Sequence, residues 1–566
     1  MQVQVKHFVE KFQAVSAWLS RCPVRDHVLW SFRMPDTCLA PTPDAWRYFP
    51  EEGSGMKRIN SNRFPGGIIV LAVTCAFVVA FTKPSPAAEK PKRVLRNNMT
   101  EVYKILPSTA STFYEAFTKG LFYGRLRVNS FYWSNQDGDK YDPAGFGLGG
   151  SLIFKSAPLY GISGTVGLYT SQNLGMLDED DALYGRSGKD TFSRYDRLRD
   201  GDWGMTVLAQ AYLQYHISKS DIKIGRQIFE SFLTKSNDTK MIPNTFEGYT
   251  LESKDLPHTT FKFGYLTKQK LRDHTRFHDV ITYGDKNAYV HDGKNISNWN
   301  NNDDSAVHKG LSYANLKAAG ENVENDLVIA GLTHRALDNL KLDLWYTSVP
   351  DLFYSLMAES NYRVALGDGW SLTPGLRFMQ QFDTGAGDIG GAALNGSLAG
   401  VSGSANGYDN ADSVSAKLYA ARLVLRKGAG RLQAGYSRVS DDADIIAPWR
   451  GFPTAGYTRA MGQYNWEANT KTWMVQAFYD FGKARIIPGF RMCFDYSYIN
   501  YDDDKERLGG LSKTDQNYYH VDIWYIFPFL PALEAKFRAG YADAQKTVSG
   551  SNPSYSEYRF EMNYLF

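Results

Sequence analysis

Six arginines sit among apolar neighbours where a charge is out of keeping. Arg125 and Arg127 lie in GLFYGRLRVNSFYW, Arg377 in WSLTPGLRFMQQF, Arg422 and Arg426 in AKLYAARLVLR, and Arg491 in IPGFRMCFDYS. Their flanks are Leu126 and Val128, Leu376 and Phe378, Ala421 and Leu423, and Phe490 and Met492. In extended chain the flanking residues take one face and the arginines the other. A row of guanidinium groups along a wet wall lowers the barrier for anions and raises it for cations. The same charge at a lipid midplane costs about 2–4 kcal/mol, so the wall must face water. Arg226 is ambiguous, because it shares parity with Ile224 and Ile228 at a strand's end.

Other residue patterns suggest other chemistry, and each has a plainer reading. Gly145, Gly147 and Gly150 satisfy GxGxxG, but the SLIFKS that follows alternates as a strand, where a dinucleotide site needs a helix. His274 and His278 have metal-like spacing but lie in a polar loop with no third ligand evident, as solvated histidines do. The acidic runs DEDD (178–181) and YDDDKE (501–506) read as solvated loops before they read as calcium sites. No Ser-His-Asp or paired-carboxylate arrangement can be assembled, so no enzyme, cofactor or metal is expected.

What must position the arginines is a set of strands. Alternation recurs from about residue 119 to the end, in 18 candidate strands, many about 9–12 residues long. The last, YRFEMNYLF, sets Tyr558, Phe560, Met562, Tyr564 and Phe566 on one parity against Arg559, Glu561 and Asn563. Tight connections such as SAPLYG, TSVPD and KGAGR alternate with long polar ones at 171–202, 270–324, 384–411 and 441–469. Such length, dyad pattern and turn asymmetry predict an all-β fold, a transmembrane antiparallel β-barrel of about 18 strands over 119–566. Backbone in hydrocarbon must satisfy every N–H and C=O, so the sheet has to close.

Composition agrees. Aromatics reach 14%, mean hydropathy is −0.39, and one apolar run, residues 66–81, is short for a membrane helix. That run reads better as the core of a Sec signal peptide over 56–87, with a basic start MKRINSNRFP and small residues at TKPSPAAEK. The start is then expected at Met56. Residues 1–55 become a non-native upstream extension whose EEGSG end is encodable by a ribosome-binding site, and 88–118 a periplasmic segment. Beyond residue 87 the chain holds 53 basic and 54 acidic residues and only Cys493. No nucleic-acid partner is indicated, nor a disulfide framework.

The stretch IKIGRQIFESFLTKSNDTKMIPNTFEGYTLES (222–253) leaves a strand at Arg226 and passes Lys235, Asp238 and Lys240. It returns through Pro243 and Phe246. Within it, NDTKMIPNTFEG (237–248) resembles the third-loop pattern Asn-Asp-Thr-Arg-Leu-Leu-Pro-Gln-Thr-Phe-Gln-Gly of the OprD family of substrate-specific outer-membrane porins. RLRVNSFYWSNQD, YSRVSDDADII, YNWEANTKTWMVQAFYDFG and the terminal SEYRFEMNYLF are also similar to it, although members often end in Pro and a non-aromatic residue. The likeness spans about 115–566.

The resemblance implies an 18-stranded barrel narrowed by its third and seventh loops, here about 229–246 and 441–469, with a basic ladder guiding carboxylate-bearing solutes. By parity and resemblance together the ladder is Arg125, Arg127, Arg377, Arg422, Arg426 and Arg491. The constriction-loop candidates are Arg226, Lys235, Asp238, Lys240, Phe246 and Glu247, with Lys240 replacing the family's Arg and Glu247 its Gln. With Asp343 and Asp495 as the few acids noticed on strand faces, the lumen is expected to be positive and the remaining acids to lie in loops and turns. Phe566 resembles the assembly signal read by the barrel-insertion machinery. The expected function is passive diffusion across the outer membrane of a Gram-negative bacterium, favouring amino acids, small organic acids or short peptides. The expected partners are lipid and small polar or anionic solutes, with a homotrimer left open. The rivals are a general, weakly selective porin and a barrel whose loops carry an enzymatic or adhesive role. An energised receptor is disfavoured, because 88–118 is too short for a plug.

Overall fold

The computed structural model describes residues 93–95, 101–103, 107–137, 142–173, 191–193, 196, 204–284, 290–291, 294–295, 306–507 and 513–566. The expected upstream extension, the expected signal peptide and the acidic run DEDD fall outside them. A short helix, α1 (Phe113–Thr118), precedes the barrel.

Eighteen antiparallel strands close on themselves. They are β1 (Leu121–Asn135), β2 (Ala144–Lys155), β3 (Ile162–Gln172), β4 (Met205–Ile217), β5 (Ser220–Gln227) and β6 (Thr245–Ser253). Next come β7 (Thr259–Lys270), β8 (Leu327–His334), β9 (Leu340–Val349), β10 (Phe353–Tyr362, continued by Val364–Gly367), β11 (Trp370–Asp383) and β12 (Ala416–Lys427). The last are β13 (Gly430–Val439), β14 (Lys471–Asp480), β15 (Phe490–Asn500), β16 (Gln516–Ile526), β17 (Leu533–Ala544) and β18 (Tyr555–Leu565). Each predicted strand has its counterpart.

The seam joins β18 to β1, from Tyr555 opposite Asn135 to Leu565 opposite Arg125. Phe566 carries the pairing one residue further: its N–H donates to the Gly124 carbonyl at 3.0 Å and its carbonyl accepts from the Gly124 N–H at 3.2 Å. Only glycine fits at 124, since a Cβ there would stand 2.1 Å from the Ser151 carbonyl oxygen and 2.9 Å from the Phe566 ring.

Alternation decides which face meets lipid. Phe122, Leu126, Leu376, Phe378, Leu423 and Tyr558 are exposed on the outer wall, whereas Glu557, Arg559, Glu561 and Asn563 are buried inside. Tyrosines and tryptophans collect near the long-loop rim, where Tyr346, Tyr354 and Phe382 pack in sequence and Tyr436 meets Trp473. Such girdles sit where an apolar ring body and a polar tip are both satisfied.

The long loops have a core of their own. Leu233, Val280, Ile281, Ala393, Leu398, Tyr408, Ile445, Trp449 and Trp466, from the loops after β5, β7, β11 and β13, pack into one buried apolar cluster. A lumen this wide cannot be filled by wall side chains alone, and apolar loop residues supply the burial that keeps the loops inside.

Candidate functional site: the loop constriction

The third loop, 228–244, and the seventh, 440–470, meet inside the barrel. Thr234 and Arg450 form an antiparallel bridge. On either side of it Lys235 N–H donates to the Trp449 carbonyl at 3.0 Å, and Gly451 N–H to the Leu233 carbonyl at 2.8 Å. A Cβ at Gly451 would fall 2.2 Å from the Leu233 carbonyl carbon, so the approach requires glycine there. Trp449 Nε1–H donates to the Val280 carbonyl at 2.7 Å, tying the fourth loop to the same junction.

On one side of the lumen, Arg377 and Arg422 share a single carboxylate. Arg377 Nε is 2.8 Å from Glu359 Oε2, and an Arg422 terminal nitrogen is 3.4 Å from Glu359 Oε1. Their remaining hydrogen bonds go to the seventh loop: Arg377 donates to the carbonyls of Pro453 (2.6 Å) and Ala455 (3.0 Å), and Arg422 to that of Gly456 (2.7 Å). Asn361 Oδ1 accepts from Arg422 at 2.6 Å. The two guanidinium carbons lie 4.4 and 4.5 Å from the Tyr457 ring centroid, and Arg377 also faces Phe232 of the third loop at 5.0 Å. Lys235 makes no ion pair among the described residues. Burial lowers its pKa, with Lys262, Arg377 and Lys341 adding to the effect against the pull of Glu230.

Across the barrel, Arg125 and Arg127 are only 1% exposed. Both bind Asp238 of the third loop, Arg127 at 2.7 Å, and Arg127 also binds Glu561 of β18 at 2.8 Å. Arg127 further donates to the Asp238 carbonyl at 3.2 Å. These charges hold the loop to the wall rather than lie open to a solute. Arg491 is 3.6 Å from Glu534 and half-exposed. Arg426 is exposed near the turn between β12 and β13, without an ion pair among the described residues.

Several expectations are corrected. Acids have not all gone to loops: Glu252, Glu359, Asp522, Glu534 and Glu561 face the lumen as partners of its cations. Pairing of β5 with β6 runs up to Gln227 opposite Phe246. Phe246 and Glu247 therefore belong to β6, not to the loop. Phe246 is buried in the loop core. Glu247 shares the outward parity of exposed Tyr249 and pairs at 2.7 Å with Arg226, whose parity is that of exposed Ile222 and Ile224. The Gln-to-Glu departure thus lies outside the eyelet. Lys240 is fully buried, its ammonium 5.2 Å from the Phe131 ring. His274 and His278 are buried rather than solvated, because Gln269 and His278 exchange backbone bonds and fold this turn inward. Within YDDDKE, Lys505 binds Asp502 at 3.0 Å and also Asp441. No group of three metal-ligating side chains comes together among the described residues.

Sequence reasoning missed Glu359, Tyr457 and Arg459. Glu359 shares parity with inward Ser355 and Met357, which was signal enough. Tyr457 and Arg459 belong to a loop without periodicity. Arg459 has its guanidinium carbon 3.5 Å from the Phe452 ring centroid and no ion pair among the described residues, and burial, with Arg272 and Arg559 adding to it, pushes its pKa down to about 10.

A closed barrel with an apolar outer face and loops folded into a charged constriction defines a membrane channel. The sequence model for the outer membrane porin, OprD family, matches residues 181–566, and the chain belongs to that family. Solved structures similar to it include OpdQ of Pseudomonas aeruginosa (18% identity, 80% of this chain and 99% of that one, TM-score 0.54). OpdK of the same organism, solved with vanillate, is 15% identical over 79% of this chain and 98% of that one, with a TM-score of 0.55. OccAB1 of Acinetobacter baumannii is 14% identical over 79% and 96%, with a TM-score of 0.58. No match was found among curated proteins. The protein is thus an outer-membrane porin, a channel rather than an enzyme by family.

Proposed function

We propose that this porin passes small carboxylate-bearing solutes, such as amino acids, organic acids or short peptides, in preference to cations. The observation that carries the reading is the cation excess at the constriction: Arg377 and Arg422 have one carboxylate, Glu359, between them, and Lys235 stands nearby without an ion pair. Guanidinium groups fit a carboxylate with two parallel hydrogen bonds, and Arg422, the more exposed of the two at 20%, keeps some contact with water, so binding stays weak enough for release. Vanillate, which accompanies OpdK, is such a carboxylate. Arg426, at the turn end of β12, extends the track. A weakly selective porin is the second reading, favoured by the matched charges around Arg125 and Arg127. Single-channel recording with benzoate and with neutral benzamide separates the two. Saturable block by benzoate alone is expected, and equal indifference to both would overturn the proposal.

A further inference from the structure

We propose that α1 is a membrane-interface anchor that seats Phe113, Tyr114 and Phe117 in the periplasmic leaflet of the outer membrane. The helix is capped by Thr112, whose hydroxyl accepts from Glu115 N–H at 3.2 Å. It is fixed to the barrel by small residues: Ala110, Ala116 and Ala157 pack with Leu159, Ala110 N–H donates to the Pro158 carbonyl at 2.9 Å, and Ala157 N–H to that of Ala116 at 2.8 Å. This docking leaves the aromatic face unburied. Phe113 is 73% exposed, Tyr114 77% and Phe117 42%, with Tyr160 of the neighbouring turn at 83%.

The position of this face identifies its occupant. The Phe117 ring stacks on Phe154 at 6.1 Å with planes 8° apart, and Phe154 meets Phe122 at 4.6 Å. Phe122 and Phe154 are register partners on the outward parity of β1 and β2. The helix rings therefore continue the lipid-facing wall without a break. They do so at the end of the barrel that carries the short turns, which is periplasmic in bacterial barrels. Glu115 and Lys119 pair with each other at 2.9 Å, so apolar contact rather than charge carries the attachment. Tyrosine and phenylalanine at the level of the headgroups partition there as interfacial belts do, and a helix with one aromatic face lies in that plane. Phospholipid, not solvent, is the surface these rings fit.

The test is site-directed spin labelling of the full chain in phosphatidylethanolamine–phosphatidylglycerol vesicles, with its 4 cysteines replaced. A nitroxide at Tyr114→Cys should be relaxed more by oxygen than by a water-soluble nickel chelate. One at Asp368→Cys, on the exposed turn after β10, should show the reverse. Chelate access at 114 equal to that at 368 would overturn the anchor. Because the label itself could lift the helix, hydrogen exchange on the unlabelled chain supplies a second reading. Phe113→Ser with Tyr114→Ser should speed exchange of the 116–119 amides at least tenfold in vesicles. Unchanged rates would overturn the proposal as well.

Discussion

Two pairs of arginines occupy opposite walls of one lumen and are partnered differently. At the seam between β18 and β1, Arg125 and Arg127 are buried and matched by Asp238 and Glu561, so their charge is spent on holding the third loop. Between β10 and β12, Arg377 and Arg422 share Glu359 and a tyrosine face, leaving a cation unmatched beside the passage. The difference teaches that facing the lumen is not the same as facing the solute. What separates the strut from the proposed guide is the number of carboxylates within reach and the water left around them.

Breaking the strut should have the largest effect. Arg127→Met removes the cation hydrogen-bonded to Glu561 and one of the two on Asp238, and removing one partner of a buried ion pair costs about 3–5 kcal/mol. Urea-driven unfolding in detergent should show a loss of that order, while Arg422→Met, at a wetter pair, should stay within about 1 kcal/mol. Equal losses would erase the distinction between the two walls.

Parting the loops comes next. Gly451→Val forces a side chain against the Leu233 backbone, an overpacking of about 1–3 kcal/mol. Conductance should rise as the bridge between the third and seventh loops opens, and benzoate block should weaken. Unaltered conductance would mean that this bridge does not set the channel's width.

The smallest effect sharpens the comparison from outside both walls. His308, in the fourth loop, has Nε2 2.7 Å from the Gly391 carbonyl, and burial holds its pKa at about 4. A histidine depressed in the folded state contributes stability that is complete above its unfolded pKa of about 6.5 and lost as pH falls towards 4. Limited proteolysis of the sixth loop should therefore quicken between pH 6.5 and 4. His308→Gln should flatten that dependence.

Strand parity made most of the barrel legible, because one face must meet lipid and a slip of one residue would reverse every side chain. Arg377 and Arg422 were found in this way, between Leu376 and Phe378 and beside Leu423. Parity could not show that Arg125 and Arg127 were already taken, because their partner Asp238 reaches them from a loop more than a hundred residues away. Nor could it place Phe246 and Glu247, where a strand begins earlier than the loop motif suggested and a bulge follows at Glu247 and Gly248. Tyr457 and Arg459 were out of reach as well. Their positions come from the loop core around Trp449 and Trp466, a packing without period.

The most direct measurement is the reversal potential of single channels under a tenfold KCl gradient, for the wild type and for Arg377→Gln with Arg422→Gln. A cation excess at the constriction predicts an anion-leaning potential in the wild type that moves towards cation preference in the double variant. A cation-leaning wild type, or a potential the double substitution leaves in place, would contradict it.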